Sequence, residues 1–190
     1  MNLTDQQVIN ASQSAVWASL NDPEVLRQCI PGCKEIEQIS PTELRAKATI
    51  KVGPITATFG GTVTFSDVDE PNGYTITGEG QGGVAGFAKG SARVRLESVD
   101  TKTILHYDVR ADVGGKIAQL GSRLIDSTAR KLAGEFFEKF GTVVAPTPVS
   151  PVLEIAEESP PKPKRRWFGL FTFFKRFGLF KSKPDRKSVV

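Results

Sequence analysis

The chain has 190 residues, enough for one domain and a tail, and a net charge of +4. That charge is divided: residues 1–161 hold 15 basic and 20 acidic side chains, net −5, and residues 162–190 hold ten basic and one acidic, net +9. The front of the chain is therefore mildly acidic, which argues against a nucleic-acid face there, and two cysteines, Cys29 and Cys33, are too few for a disulfide framework or a zinc set.

In chain order, residues 2–9 offer Leu3, Val8 and Ile9 to an edge strand. Ser12 then suits an N-cap for a short helix to Leu20, with Val16, Trp17 and Leu20 on one side. Asn21-Asp22-Pro23 breaks it, and Pro23 at a first helical position starts a second short helix through Ile30 that Pro31-Gly32 ends. The cysteines of CIPGC read as small buried side chains near that turn.

Strands follow at 33–39, 42–52 and 56–65, then from Tyr74, at 88–97 and at 105–113. Each alternates apolar with polar residues, the mark of a half-buried strand. Gly53-Pro54 and Pro71-Asn72-Gly73 mark two of the turns. Lys116 to Phe140 reads as one long amphipathic helix, preceded by Gly114-Gly115 and closed by Gly141 as a glycine C-cap. The expected fold class is α+β: about seven antiparallel strands wrapped around a long C-terminal helix, with two short helices after the first strand. This is a helix-grip architecture, and it spans 1–142.

The inward face of the sheet is rich in small residues: Ala46, Ala48, Ala57, Gly61, Gly78, Gly80, Ala88, Gly90, Ala92 and Ala111. Dense packing requires large partners opposite them, or else they leave a cavity. The covering helix is mixed, with Leu120, Leu124, Leu132 and Phe136 but also Gly121, Ala129 and Ala133. A hydrophobic cavity between sheet and helix is therefore expected, a filled core being the alternative. Its expected lining is Leu44, Ala46, Ala48, Ile50, Phe59, Gly61, Val63, Tyr74, Ile76, Phe87, Ala92, Val94, Tyr107 and Val109, with Leu120, Gly121 and Leu124 from the helix. Tyr74 and Tyr107 are placed either to donate to a ligand carbonyl or to satisfy a backbone group.

The glycines from Gly78 to Gly90 lack both the strand–loop–helix context and the Lys-Ser/Thr of a phosphate loop; in strands they mark bends, bulges or close approach. His106, the only histidine, falls on the outward phase and is expected in solvent. No catalytic set and no metal ligands are expected.

After Gly141 the composition changes. Six of the twelve prolines lie in 142–166, so residues 143–166 read as an extended linker reaching roughly 75 Å at ~3.1 Å per residue. Seven of the fourteen residues from Trp167 to Phe180 are aromatic. Trp167, Phe168, Leu170, Phe171, Phe173, Phe174, Phe177 and Phe180 provide apolar surface, and Lys164, Arg165, Arg166, Lys175, Arg176 and Lys181 provide charge. The run is too short to span a bilayer, and basic residues around short aromatic segments suit an anionic membrane surface. A docking peptide for a protein and a nucleic-acid-binding tail are the alternatives. MNLTDQQV lacks a basic region followed by an apolar one, so the expected location is the cytoplasm, with peripheral attachment to the inner face of the cell membrane.

PGCKEIE at 31–37, GGVAGFAKGSARVRLE at 82–97 and DVGGKIAQLGSRLIDSTARKLAGEFFEKF at 112–140 resemble, as a set, the CoxG family of carbon monoxide dehydrogenase subunits, within the START-related (SRPBCC) helix-grip superfamily. The resemblance implies a non-redox accessory protein that brings a molybdenum CO-dehydrogenase-type oxidoreductase to the cytoplasmic membrane. It also implies a cavity for a hydrophobic small molecule. A bound quinone or other lipid is the expected occupant, since electrons from CO oxidation must reach a respiratory chain. No covalent cofactor, no enzymatic activity and no nucleic-acid partner are expected. The alternatives are a pure tether without ligand, or a cyclase- or hydrolase-like enzyme of the same superfamily.

Overall fold

The structure is a computed structural model and describes residues 1–145. Its elements are β1 (Asn2–Ile9), α1 (Gln13–Leu20), α2 (Pro23–Cys29), β2 (Cys33–Ser40), β3 (Glu43–Val52), β4 (Ile55–Asp69), β5 (Gly73–Gln81), β6 (Phe87–Val99), β7 (Lys102–Gly114) and α3 (Ser122–Val144). The seven strands form one antiparallel sheet in the order β1-β7-β6-β5-β4-β3-β2. Five consecutive hairpins build β2 to β7, and β1 closes onto β7 from the start of the chain. This is the α+β helix-grip arrangement, with α3 covering the sheet.

The short helices start where the residue chemistry requires. The Ser12 side chain accepts from Ala15 N, and Asp22 accepts from Glu24 N at 2.8 Å with Pro23 beside it. Each cap satisfies a first-turn N–H that has no partner inside the helix. Gln13 Nε2 then ties α1 to the sheet by donating to Pro71 O at 3.3 Å and Leu96 O at 3.2 Å. The buried Thr103 hydroxyl donates to Ala11 O at 2.8 Å, fixing the chain that enters α1.

The long helix differs from its expected limits at both ends. Residues 118–120 form a 3₁₀ turn instead, and Gly121, at φ +85°, ψ 152°, breaks the chain before α3. That region of backbone space is essentially glycine-only. At the other end Gly141 lies inside the helix, which continues to Val144 and so takes the first two residues assigned to the linker. The rest of the linker from 146 onward, and the tail with all its membrane-binding candidates, lie outside the described residues.

The core occupies one half of the interior. Leu3, Ile9, Val16, Trp17, Leu20, Cys29, Tyr74, Leu96, Leu105, Tyr107 and Phe140 are buried together, and Phe65, Phe136, Phe137 and Val144 pack against them. Tyr74 sits between Trp17 and Phe65 at ring separations of 5.4 and 5.2 Å, and Tyr107 stacks on Phe137 at 5.2 Å. Such pairs add about 0.5–1.5 kcal/mol each beyond the area they bury. The aromatics of α3 lie in its C-terminal half, so this half of the interior is filled.

Candidate functional site

The other half of the interior is a cavity, and strand register explains it. One cross-strand row on the inward face reads Ala46, Gly61, Gly80, Ala88, Val113 from β3 to β7. The next reads Leu44, Val63, Gly78, Gly90, Ala111. The row beyond it reads Phe65, Ile76, Ala92, Val109, Leu3, and the next Tyr74, Val94, Tyr107, Asp5. Side-chain volume therefore rises across these four rows towards the Tyr74 end of the strands, while beyond the small rows Phe59, Ile50 and Val52 wall the β3–β4 end. Helix α3 follows the same gradient, with Ile125, Thr128, Ala129 and Leu132 over the small rows and Phe136, Phe137 and Phe140 over the large ones.

Between the small rows and the N-terminal half of α3 lies a cavity of about 370 Å³. That is near the lower end of small-molecule sites, which run from ~300 to 1,000 Å³. It has room for a ring-sized headgroup or a short chain, not for an entire long lipid. The lining is apolar: Val52, Phe59, Val63, Val113, Ile117, Ile125 and Leu132 supply the bulk. Its few polar contributors are Met1, whose amine donates to Ala111 O at 2.8 Å, Thr62, Glu79 and Thr128. The Thr128 hydroxyl donates to Leu124 O at 2.8 Å, and Thr62 and Glu79 sit on the outward phase of their strands. Such a lining selects by shape and apolar contact.

The expected lining and the observed one overlap at Ala46, Ala48, Ile50, Phe59, Gly61 and Val63. The others are corrected by position. Tyr74, Ile76, Val94, Tyr107 and Val109 belong to the filled core, since their register carries them to the aromatic end of the strands. Ala92 shares their rows, between Ile76 and Val109. Leu44 is buried at the far edge of the small rows and does not line the cavity. Phe87 precedes the inward Ala88, points to the outer face and lies over the bare Cα of Gly114. Leu120 and Gly121 lie in the turn before α3, and Leu124 packs on Gly53, where an added Cβ would stand 2.7 Å from its Cδ2.

Neither tyrosine lines the cavity, so neither donates into it, although burial keeps both hydroxyls protonated. Burial pushes the Tyr74 phenol well above its ordinary pKa. Burial, then the nearby Asp5 carboxylate, raises that of Tyr107. Absent from the expected lining are Val52, Gly78, Gly80, Ala88, Ala111 and Val113 from the sheet, and Ile117, Ile125, Thr128, Ala129 and Leu132 from the helix side. The sequence nonetheless places Gly78, Gly80, Ala88 and Ala111 on the inward face and Ala129 and Leu132 on the covering helix. Counting from Gly53-Pro54 aligns only β3 with β4, so the rows on β5 to β7 depend on the registers of the later hairpins.

Outside the cavity, His106 stands on the outer face, half-buried, with Nε2 3.2 Å from Glu97 Oε2. Cys29 is buried as expected, and Cys33 is half-buried with Sγ donating to Glu35 O at 3.7 Å. Among the described residues no cluster of three or more His, Cys, Asp or Glu could hold a metal, and no helix is long and apolar enough to cross a membrane.

Comparison with known families decides the lineage. The model of the CoxG family, described as a carbon monoxide dehydrogenase subunit, matches residues 6–145. The chain belongs to the CoxG family. This CoxG-family chain is similar to a conserved protein from Geobacillus kaustophilus, at 29% identity and a TM-score of 0.72 over 76% of this chain and 95% of that one. It shares its fold with a START superfamily protein from Mycobacterium smegmatis, at 18% identity and a TM-score of 0.53 over 76% and 94% of the two chains. A further fold neighbour is the ZhuI aromatase/cyclase of Streptomyces sp. R1128, at 12% identity and a TM-score of 0.54 over 76% and 93%. No curated protein matches the CoxG-family chain. The family's name ties its members to carbon monoxide dehydrogenase, and the START-type fold agrees with the sheet wrapped on α3.

Proposed function

We propose that this CoxG-family protein is an accessory of a molybdenum CO-dehydrogenase-type oxidoreductase, tethered to the inner face of the cytoplasmic membrane. In this reading it holds a hydrophobic small molecule, a quinone headgroup in the first place, between the sheet and α3. The observation that carries the reading is the apolar cavity of about 370 Å³ at the small-residue rows. Family membership supports the oxidoreductase partner. The composition of residues 164–181 supports the tether. Binding without catalysis is favoured because, among the described residues, the only ionisable side chain in the lining, Glu79, is on the outward phase and the Met1 amine is engaged with Ala111 O, whereas a cyclase or hydrolase needs an acid or base converging on the substrate.

The test uses the full chain. Solvent extraction with mass spectrometry identifies any copurified quinone or lipid, and titration with a short-chain quinone measures affinity. Ala129→Phe, which builds a ring into the cavity from α3, is expected to weaken binding at least about tenfold, the effect of ~1.4 kcal/mol of lost contact. Its melting temperature should stay at or above that of the parent, because a void is filled. A parent chain that binds no quinone, or an Ala129→Phe variant that binds it as well, would refute the cavity reading.

A further inference from the structure

We infer that the end of the sheet where the cavity runs out is itself a docking rim for an anionic phospholipid bilayer, separate from the tail. Three connections meet there: the β3–β4 turn at Gly53-Pro54, the β5–β6 loop at 82–86, and the segment from Gly115 to Gly121 that leads into α3. They are joined into one surface. Ile117 N donates to Ala85 O at 3.0 Å, Gly82 N donates to Gly86 O at 2.7 Å, and Gly53 rests on Leu124. The backbones of Gly86 and Gly114 approach so closely that a side chain at Gly86 would strike the Gly114 carbonyl. The rim is therefore preformed.

Its chemistry differs from the rest of the domain. Residues 1–145 contain 15 basic and 17 acidic side chains. The three rim segments, 49–56, 80–88 and 113–123, contain Lys51, Lys116 and Arg123 and no carboxylate. All three cations are exposed, and among the described residues none forms an ion pair. The nearest sheet carboxylates, Glu79 and Asp112, both face Lys89 across the outer side of the sheet, and Asp126 buries an oxygen one turn into α3. In the β5–β6 loop of this rim Val84 is 85% exposed while its neighbour Ala85 is 4% exposed. The loop presents an apolar tip and tucks in the smaller residue beside it. A rim that carries an apolar tip and cations and is free of carboxylates matches an anionic lipid surface, where each nearby cation adds about fivefold in affinity.

The location gives the rim its use. Val52, Ala88 and Ile117 line the cavity at this end, while the aromatic core closes the other. A rim seated on the bilayer would let an apolar molecule move between acyl chains and lining without crossing water. That transfer rests on the carrier reading above; the docking itself rests on the surface alone.

Tryptophan reporters in the full chain test it, with Trp167→Phe removing the tail indole. Val84→Trp places a probe at the rim. Val68→Trp places one at the other end of β4, where Val68 is 53% exposed. Both are mixed with phosphatidylcholine–phosphatidylglycerol vesicles carrying acyl-brominated lipid. The expected result is strong quenching of Val84→Trp, little of Val68→Trp, and loss of the rim signal when Lys51→Gln and Lys116→Gln are added, with cosedimentation retained through the tail. Equal quenching at both ends, or equal quenching by pure phosphatidylcholine, overturns the inference. So does an unquenched Val84→Trp in a chain that still cosediments, the outcome expected if the rim instead meets an acidic protein. Failure of the parent chain to cosediment would count against the rim and the tail tether together.

Discussion

Ala129 and Phe140 belong to one helix, and the difference in their volumes divides the interior into a chamber and a core. The core half has a pH signature through Tyr74. Its phenol ionises at about pH 10 when unfolded and at higher pH when folded, because burial disfavours the anion. Above pH 10 the unfolded state therefore releases the proton first, and stability falls by up to about 1.4 kcal/mol per pH unit. Below pH 10 the phenol is neutral in both states and adds no slope. Tyr107 is shifted in the same direction and contributes its own fall. Tyr74→Phe should flatten the loss without abolishing it, as read from urea denaturation between about pH 8 and 11. An unchanged slope would mean that Tyr74 is not the titrating group. The small residues of the cavity were legible one by one in the sequence; which of them stood side by side was not. That depends on register, and a two-residue difference in position along a strand separates Gly78 in the cavity from Ile76 in the core.

At the scale of elements, the strands and both short helices could be read from alternation, caps and turn residues. The start of α3 could not. Ile117, Leu120 and Leu124 keep helical spacing across Gly121, so periodicity alone continues the helix through a backbone conformation that only glycine tolerates. The cost of replacing that glycine is conformational, because a Cβ there would meet nothing within 4 Å. Gly121→Ala should destabilise the domain by about 1–3 kcal/mol. A lower urea midpoint with an unchanged m-value would show it, and an unmoved midpoint would mean that the turn relaxes freely. The opposite misreading occurred at Gly141, where a glycine that resembled a cap lies within the last turns of α3.

For the whole molecule the governing fact is the separation of charge, residues 1–161 of net charge −5 followed by 29 residues of net charge +9. In the proposed tether, the basic and aromatic residues of 164–181 supply two signals, electrostatic attraction to anionic lipid and aromatic burial, and two such signals suffice for stable peripheral attachment. Deleting 164–190 should move the protein from the membrane pellet to the supernatant of fractionated cells. A truncated chain that still pelleted fully would place the anchor elsewhere. Composition alone showed this division between domain and tail, since it needs no knowledge of contacts. The cationic rim stayed hidden for the opposite reason: Lys51, Lys116 and Arg123 are scattered in sequence, and only the fold carries their segments to one end of the sheet.

A chamber walled by missing side chains can be re-cut by restoring them. At Gly80 an added methyl would meet Phe59 Cβ at an ordinary 3.8 Å, and at Gly78 the nearest atoms stand at 3.3 and 3.4 Å, close enough to require a small shift. At Gly61 the Glu79 carbonyl blocks any such addition. One side of the chamber is thus fixed and the other adjustable, at positions outside the aromatic core. The shape of the chamber can therefore be retuned in single-methyl steps from β5 while the half that holds the fold together is left alone.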